Sequence, residues 1–358
     1  MSTIKRLELS QFRNIEKLSL PADERVNLIF GANGSGKTSL LESIYVLATG
    51  KSFRSTKTAP LIKQGSGEFT VFAELSGGVS VGLQKFRQQK PVLKLQGHKQ
   101  QNWVATARLL PVQVLDSNTF RLLEGSPGER RRFLDWGVFH VEPGFIDAWR
   151  NSRKCIANRN ALLKSVPLDR GQLKAWNVEL ARESALVDQS RCRYFQEFEP
   201  VFTRVLSELT ELEGITLQYR RGWDMNQELL EILERNEKLD VRYGTTQGGP
   251  HRADIIVRQG GILAAEVLSR GQQKMLVSAL KLTQGVIQSA MESRRCIFLV
   301  DDLPAELDEE NRSRICRFLQ KLEGQVFLTC VEDSTLKNSL DWSASITKFH
   351  VEHGKISR

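Results

Sequence analysis

The sequence is poor in features that would tie it to an oxidising compartment, a bound transition metal or a membrane. Its five cysteines, Cys155, Cys192, Cys296, Cys316 and Cys330, are odd in number, far apart and without a C-x-x-C pair. That argues against a disulfide framework or thiolate metal site and for a reducing cytoplasm. His98, His140, His251, His350 and His353 have no ligand spacing. The longest strongly apolar runs, such as Cys296 to Val300, fall far short of the roughly 18 residues a membrane-spanning helix needs. The opening Met1-Ser2-Thr3-Ile4-Lys5-Arg6 leads into an alternating pattern without the apolar stretch of a secretory signal, so a cytoplasmic protein without a membrane partner is expected. No internal repeat or low-complexity stretch is present. Acid is also scarce in one place: Lys51 to Arg108 holds ten Lys or Arg against two acids, Glu68 and Glu74, leaving +8 of the whole chain's +9. A local field of that sign attracts a polyanion through counterion release, and a long nucleic acid gains most from it. The plain alternative is a solvated basic face with no partner.

What is present belongs to an ordinary globular protein of 358 residues, 40% apolar and 26% charged, long enough for two domains or one with an insertion. Gly31, Ala32, Asn33, Gly34, Ser35, Gly36, Lys37 and Thr38 spell G-A-N-G-S-G-K-T, which meets the phosphate-loop pattern at every fixed position. Glycines allow successive backbone N–H groups to converge on one anion, Lys37 is placed to reach the β- and γ-phosphates, and the Thr38 hydroxyl to ligate Mg²⁺. The setting agrees. Val26 to Phe30 is an apolar run fit for a buried strand, and Ser39 to Ala48 carries Leu41, Ile44, Tyr45 and Ala48 at helical spacing, so a helix N-terminus adds its partial positive charge to the anion site.

Along the chain, Ile4 to Phe12 and Leu18 to Leu20 read as strands. Phe69 to Leu75 and Val79 to Leu83 alternate about Gly77-Gly78 as a hairpin, and Val92 to Leu95 and Val112 to Leu115 are further strands. Residues 1–120 are therefore expected to form an α/β ATPase lobe. From about Phe120 to Glu234 the periodicity is helical, and Pro127, Pro143, Pro167 and Pro200 are expected to break it into short helices. Residues 121–235 read as a helical arm and 236–358 as the return to the head. Ile215 to Tyr219 and Ile255 to Val257 return to a strand pattern and flank the Gly244 to Asp254 loop, Leu276 to Ile287 is helical, and Gln325 to Cys330 is the last core strand. Cys296 to Val300 reads as a buried parallel strand delivering Asp301 and Asp302 at its carboxyl end. Asp301 is the expected metal-shell ligand, Asp302 the general base that orients water.

Leu268-Ser269-Arg270-Gly271-Gln272-Gln273-Lys274, just ahead of a helix, resembles the signature motif of ABC ATPases. Ser269, Gly271 and Gln272 offer a hydroxyl, a glycine N–H and a helix start, a second anion receptor. Ala305-Glu306-Leu307-Asp308 resembles the D-loop, with Asp308 at the nucleotide, and Gln64 is a candidate Q-loop ligand. Together with Phe12-Arg13-Asn14, Ser52-Phe53-Arg54, Gly125-Ser126-Pro127, Glu129 to Asp135 and Gly249-Pro250-His251-Arg252, these motifs resemble the RecF family of the ABC/SMC group from the first strand to the last. The resemblance implies an ABC/SMC-type ATPase head, a mixed sheet with helices and an inserted helical arm. It also implies an ATP- and Mg²⁺-dependent homodimer, with each subunit's signature facing its partner's nucleotide, that binds DNA at single-strand gaps and duplex junctions. With RecR and RecO it is expected to support RecA loading, replication-fork maintenance and SOS induction. Two departures bear on the chemistry: an aspartate, Asp302, stands where most ABC members have glutamate, and Thr329-Cys330 stand where a switch histidine usually ends the next strand. Slow, clamp-like hydrolysis is therefore expected. The rival readings are the nucleotide-binding subunit of a transporter, an SMC-type structural ATPase, whose coiled coil this chain is too short and too proline-interrupted to hold, and a monomeric phosphate-loop kinase.

Overall fold

Alternating strands in the first hundred residues demand a sheet with one buried face, and that is what forms. The computed structural model describes residues 3–55, 57, 59–118, 121–290, 295–341 and 346–357, so Phe120, where the arm is expected to begin, lies outside them. The chain runs through β1 (Ile4–Phe12), β2 (Ile15–Pro21), β3 (Val26–Phe30), α1 (Lys37–Thr49), β4 (Glu68–Leu75), β5 (Ser80–Phe86), β6 (Val92–Leu95), β7 (His98–Gln100), α2 (Val104–Leu109) and β8 (Val112–Leu115). The helical stretch follows as α3 (Arg121–Glu124), α4 (Pro127–Val141), α5 (Phe145–Leu162) and α6 (Arg170–Leu209). Then come β9 (Ile215–Arg220), α7 (Leu229–Arg235), α8 (Glu237–Tyr243), β10 (Asp254–Gln259), β11 (Ile262–Leu263), α9 (Ala264–Val267) and α10 (Arg270–Ala290). The last elements are β12 (Ile297–Val300), α11 (Leu303–Glu306), α12 (Glu309–Lys321), β13 (Gln325–Cys330), β14 (Ile346–Glu352) and β15 (Lys355–Ser357).

Two compact units share the chain: Met1–Thr119, Val205–Glu211 and Lys274–Arg358 form one, Phe120–Arg204 and Leu212–Gln273 the other. The first contains two six-stranded sheets. One is antiparallel in the order β2-β1-β4-β5-β6-β7, with the Gly77-Gly78 turn closing its central hairpin as expected. Its inward positions, among them Leu7, Leu9, Phe69, Val71, Ala73, Val81 and Leu83, are buried, as period-two alternation requires. The other, in the order β15-β14-β3-β13-β12-β8, is parallel across β14, β3, β13, β12 and β8, and β12 is buried at every residue. The near-continuous apolar runs of β3, β12 and β13 are those of strands covered on both faces. Gln325, fully buried, joins the sheets: its amide donates to the Ile4 carbonyl (2.7 Å) and accepts from the Ile4 N–H (2.8 Å). On α10, Gly285 lets the helix sit directly on the Phe298 ring.

The second unit packs helices with the small antiparallel sheet β11-β10-β9. The units part between Gln273 and Lys274, not near residue 235. The cause is that Arg130 on α4 grips Asp254 at the start of β10 with two bonds (2.7 and 3.0 Å), so β9 to β11 belong with the arm. Pro127, Pro143 and Pro167 stand at helix starts or between helices, but Pro200 lies inside the 40-residue α6. Buried Tyr194, Phe198 and Phe202 on its inner face anchor both sides of the proline, and that packing outweighs a lost hydrogen bond.

Candidate functional site

Because β3, β13 and β12 are parallel neighbours in that order, their carboxyl ends bring three loops together. Gly31, Gly34 and Gly36 have φ of 148°, 79° and 119°, values an L-residue rarely adopts. At Gly31 a Cβ would also run into the Val351 carbonyl. The loop is tied on each side: Gly31 N–H donates to the Val331 carbonyl (3.0 Å), Gly354 N–H to the Ser35 carbonyl (2.8 Å), and Asn14 Nδ2 to the Gly34 carbonyl (3.0 Å). Asn14 also accepts from the Ser39 hydroxyl (2.9 Å), so loop and first helical turn are stapled to β1's end.

Lys37 is buried, and its Nζ donates to the carbonyls of Gly31 (2.7 Å) and Ala32 (3.0 Å). Burial lowers its pKa, an effect that Asp302 and Asp301 only partly counter. Thr38 Oγ1 donates to Asp301 Oδ1 at 2.9 Å. Thr329 Oγ1 donates to the same oxygen at 2.9 Å and accepts from the Asp302 N–H at 2.8 Å. The threonine of β13, between the loop strand and the acid strand, thus holds both aspartates in register. Burial raises the Asp301 carboxyl pKa against the two threonine hydrogen bonds, which lower it. Asp302 sits at φ 49°, a left-handed conformation that costs a non-glycine residue on the order of 1 kcal/mol and is found where surrounding structure over-determines it.

These groups line a cleft of about 980 Å³ that includes Asn33, Gly34, Gly36, Lys37, Thr38, Gln64, Asp301 and Asp302. Its walls also hold Arg13, Asn14, Arg54, Lys63 and Arg87, to which the sequence motifs assign no role. Arg13 is fixed by buried Glu42, through Nε (2.8 Å) and Nη2 (2.7 Å), and Ser52 donates to the same carboxylate, which gives the Phe12-Arg13 and Ser52-Phe53-Arg54 motifs a common anchor. The donor chemistry suits a triphosphate and a hard cation. Positive-φ glycines leave backbone N–H groups without Cβ cover, and the Thr38 hydroxyl and Asp301 carboxylate supply oxygen ligands of the kind Mg²⁺ takes alongside phosphates and water. No cluster of three or more His, Cys, Asp or Glu able to hold a metal occurs among the described residues.

The second expected anion receptor belongs to the other unit. Ser269 and Gln272 form a reciprocal cap: the Gln272 N–H donates to Ser269 Oγ (3.3 Å) and the Ser269 N–H to Gln272 Oε1 (2.9 Å). The helix therefore begins at Arg270 and the motif is its first turn, not a loop ahead of Leu276. Ser269, Gly271 and Gln272 are exposed. Asp308, also exposed, caps α12 by accepting from the Asn311 N–H (2.9 Å). The arginine run is engaged rather than free: Arg130 and Arg132 form salt bridges to Asp254 and Glu129, and Arg131 donates to the Ala253 carbonyl. His251 Nε2 lies 2.9 Å from the Thr246 carbonyl, a structural bond. Among the described residues, no helix is long and apolar enough to cross a membrane.

Comparison with known proteins agrees with this architecture. The profile of the RecF/RecN/SMC N-terminal domain matches residues 3–357. A DNA replication and repair protein RecF from Pseudomonas putida strain KT2440 is 43% identical over 99% of this chain and 98% of its own length. The RecF protein of Pseudomonas aeruginosa strain LESB58 is 42% identical over the same shares. Among solved structures, the recombination mediator protein RecF with ATP, described as part of the RecFOR pathway, superposes with a TM-score of 0.86 at 24% identity over 99% of this chain and 97% of that one. An SMC head bound to the winged-helix domain of ScpA superposes with a TM-score of 0.60 at 15% identity, covering 99% and 96% of the two chains. At these identities the structural likeness concerns the fold, an ABC/SMC-type ATPase head.

Proposed function

Given that the chain belongs to the RecF/RecN/SMC N-terminal domain family, on its RecF branch, we propose that it is an ATP-driven switch on DNA in recombinational repair. The observation that carries this reading is the Thr38–Asp301–Thr329 cluster, which sets a hydroxyl, a carboxylate and the strained Asp302 turn beside a phosphate loop. Lys37 exchanges its loop carbonyls for the β- and γ-phosphate oxygens. Thr38 and Asp301 would hold Mg²⁺, which would supply positive charge against the phosphate oxygens. Asp302 orients the attacking water and accepts its proton. Gln64, on the rim of the same cleft, completes the shell. The turn of Ser269, Gly271 and Gln272 and the D-loop Asp308 act on the nucleotide of a second copy, so that ATP closes a homodimer and hydrolysis opens it.

The basic segment supports a DNA partner. Lys51, Arg54, Lys57, Arg87, Lys90, Lys94 and Lys99 are exposed, while Lys63 pairs with Glu16. Gapped or junction DNA is the substrate we assign, with RecR as direct partner and RecO and RecA downstream, in the pathway named for the solved relative. Steady-state ATP hydrolysis with and without a gapped duplex tests the reading. Turnover well below about 10 per second, raised by DNA and lost in Asp302→Asn, is expected. Turnover that DNA leaves unchanged would favour a transporter subunit instead.

A further inference from the structure

The helical unit holds a second cleft, of about 610 Å³, whose walls include Arg220, Arg221, Trp223, Asp224, Arg252 and Asp254. It is formed by two turns set back to back. The Gly249 N–H donates to the Gly222 carbonyl (3.2 Å), and Gly222, at φ 97°, comes so close that a Cβ would run into the Gly249 carbonyl. β9 and β10 then place Arg220 directly opposite Asp254. The nucleotide chemistry above uses none of these residues, and the Gly249-Pro250-His251-Arg252 motif has no role in it.

Charge in the cleft is unbalanced. Both oxygens of Asp254 are engaged by Arg130. Arg221 is fixed: its guanidinium donates to the carbonyls of Asp224 (2.6 Å) and Gln227 (3.0 Å), forms an ion pair with Asp188 (3.7 Å) and lies 4.7 Å from the Trp223 ring centroid, which leaves Arg220 and Arg252 as the cleft's unpaired cations among the described residues. Arg252 gives one bond to Gln247 Oε1 (3.2 Å). The exposed Arg220 side chain makes no hydrogen bond or ion pair among the described residues. Asp224, whose Oδ1 accepts from the Asn226 N–H (2.9 Å), pairs with no arginine side chain among the described residues.

We infer that this cleft is a second phosphate receptor, which grips the phosphodiester backbone of a nucleic-acid strand between Arg220 and Arg252 with Arg221 as a fixed third cation. Planar guanidinium forks suit phosphate oxygens, and such contacts position a strand without reading its sequence. Met225, 75% exposed beside Trp223 on the same rim, offers apolar contact to sugar or base, which a free phosphate ion would not use. The inference rests on the reading of this chain as a DNA-binding switch.

The test is fluorescence anisotropy of the full chain with a labelled gapped duplex across a KCl series, with nucleotide binding followed separately. Replacing both Arg220 and Arg252 by Ala should weaken DNA binding roughly tenfold near physiological salt, make the log–log salt slope shallower by about two, and leave ATP affinity unchanged. Asp224→Asn, a surface change, should move affinity the opposite way, which keeps the test decisive if the double variant folds poorly. Unlabelled DNA should displace the probe, whereas inorganic phosphate or a Glu-rich peptide at equal charge should not. Equal affinity and slope for wild type and double variant, with no gain in Asp224→Asn, would overturn the inference. So would a Glu-rich peptide whose binding, rather than that of DNA, is lost in the double variant. If wild type itself binds no DNA, the broader reading falls, and this one with it.

Discussion

A single lysine decides whether the phosphate loop does anything. Lys37 is buried with its charge matched only by two loop carbonyls and two nearby carboxylates, so Lys37→Met removes a costly buried cation and should leave the fold intact. Binding of a fluorescent ATP analogue should be lost while the thermal midpoint is unchanged or higher; retained binding would contradict the role given to Lys37. His251 makes a prediction of another kind. Burial lowers its pKa below the ordinary histidine value, so the folded chain keeps it neutral where the unfolded chain, titrating near pH 6.5, takes up a proton. Stability should therefore fall as pH drops below about 6.5 toward the lower folded value. His251→Gln, which keeps a donor for the Thr246 carbonyl, should flatten that part of the urea-midpoint profile, and an unchanged slope would remove His251 as the cause. At this scale the glycine loop and the aspartate pair were legible because their chemistry dictates residue type at fixed spacing. Thr329 was not: read as the absence of a switch histidine, it proves to bridge Asp301 and Asp302, and only the strand order β3-β13-β12 shows it.

Elements were legible where one period dominated. The alternation of β4 and β5 about two glycines and the apolar runs of β12 and β13 gave the strands their places, while α6 was missed because proline normally ends a helix through a lost N–H and a clash with the preceding turn. Its inner face carries enough buried aromatic surface to hold the helix through that defect. The proline itself is exposed. Pro200→Ala should accordingly stabilise the protein by about 1–3 kcal/mol, read as a rise in the urea midpoint at constant slope. A loss of stability would mean that α6 bends at Pro200 in a way its neighbours require. The signature turn shows the complementary case: the S-x-x-Q spacing from Ser269 to Gln272 forms a capping box, a purely local device, and it starts α10 earlier than apolar periodicity alone suggests.

For the whole molecule, linear order misleads. The chain returns to the ATPase unit for Val205–Glu211 and again after Gln273, so segments far apart in sequence share one core, and no composition shift marks those crossings. What order did convey is that the two stretches we propose as anion receptors, the Gly31–Thr38 loop and the exposed, capped turn at Ser269, are separate segments of one chain, and they fall in different units. If each subunit's triphosphate is completed by the other subunit's Ser269 turn, binding of ATP to one chain and joining of two chains are separable. Ser269→Arg loses a cap, at a cost of about 1 kcal/mol that a protein of this size tolerates, and puts a bulky side chain where a facing subunit must approach. In sedimentation velocity the Asp302→Asn protein, which retains ATP, should run as a monomer without nucleotide and as a dimer with ATP and Mg²⁺. Adding Ser269→Arg should keep the nucleotide bound yet hold the protein monomeric, whereas adding Lys37→Met should lose both. A Ser269→Arg protein that dimerises as readily as its parent would show that the triphosphate is not shared between subunits, and the switch would then have to work within one chain.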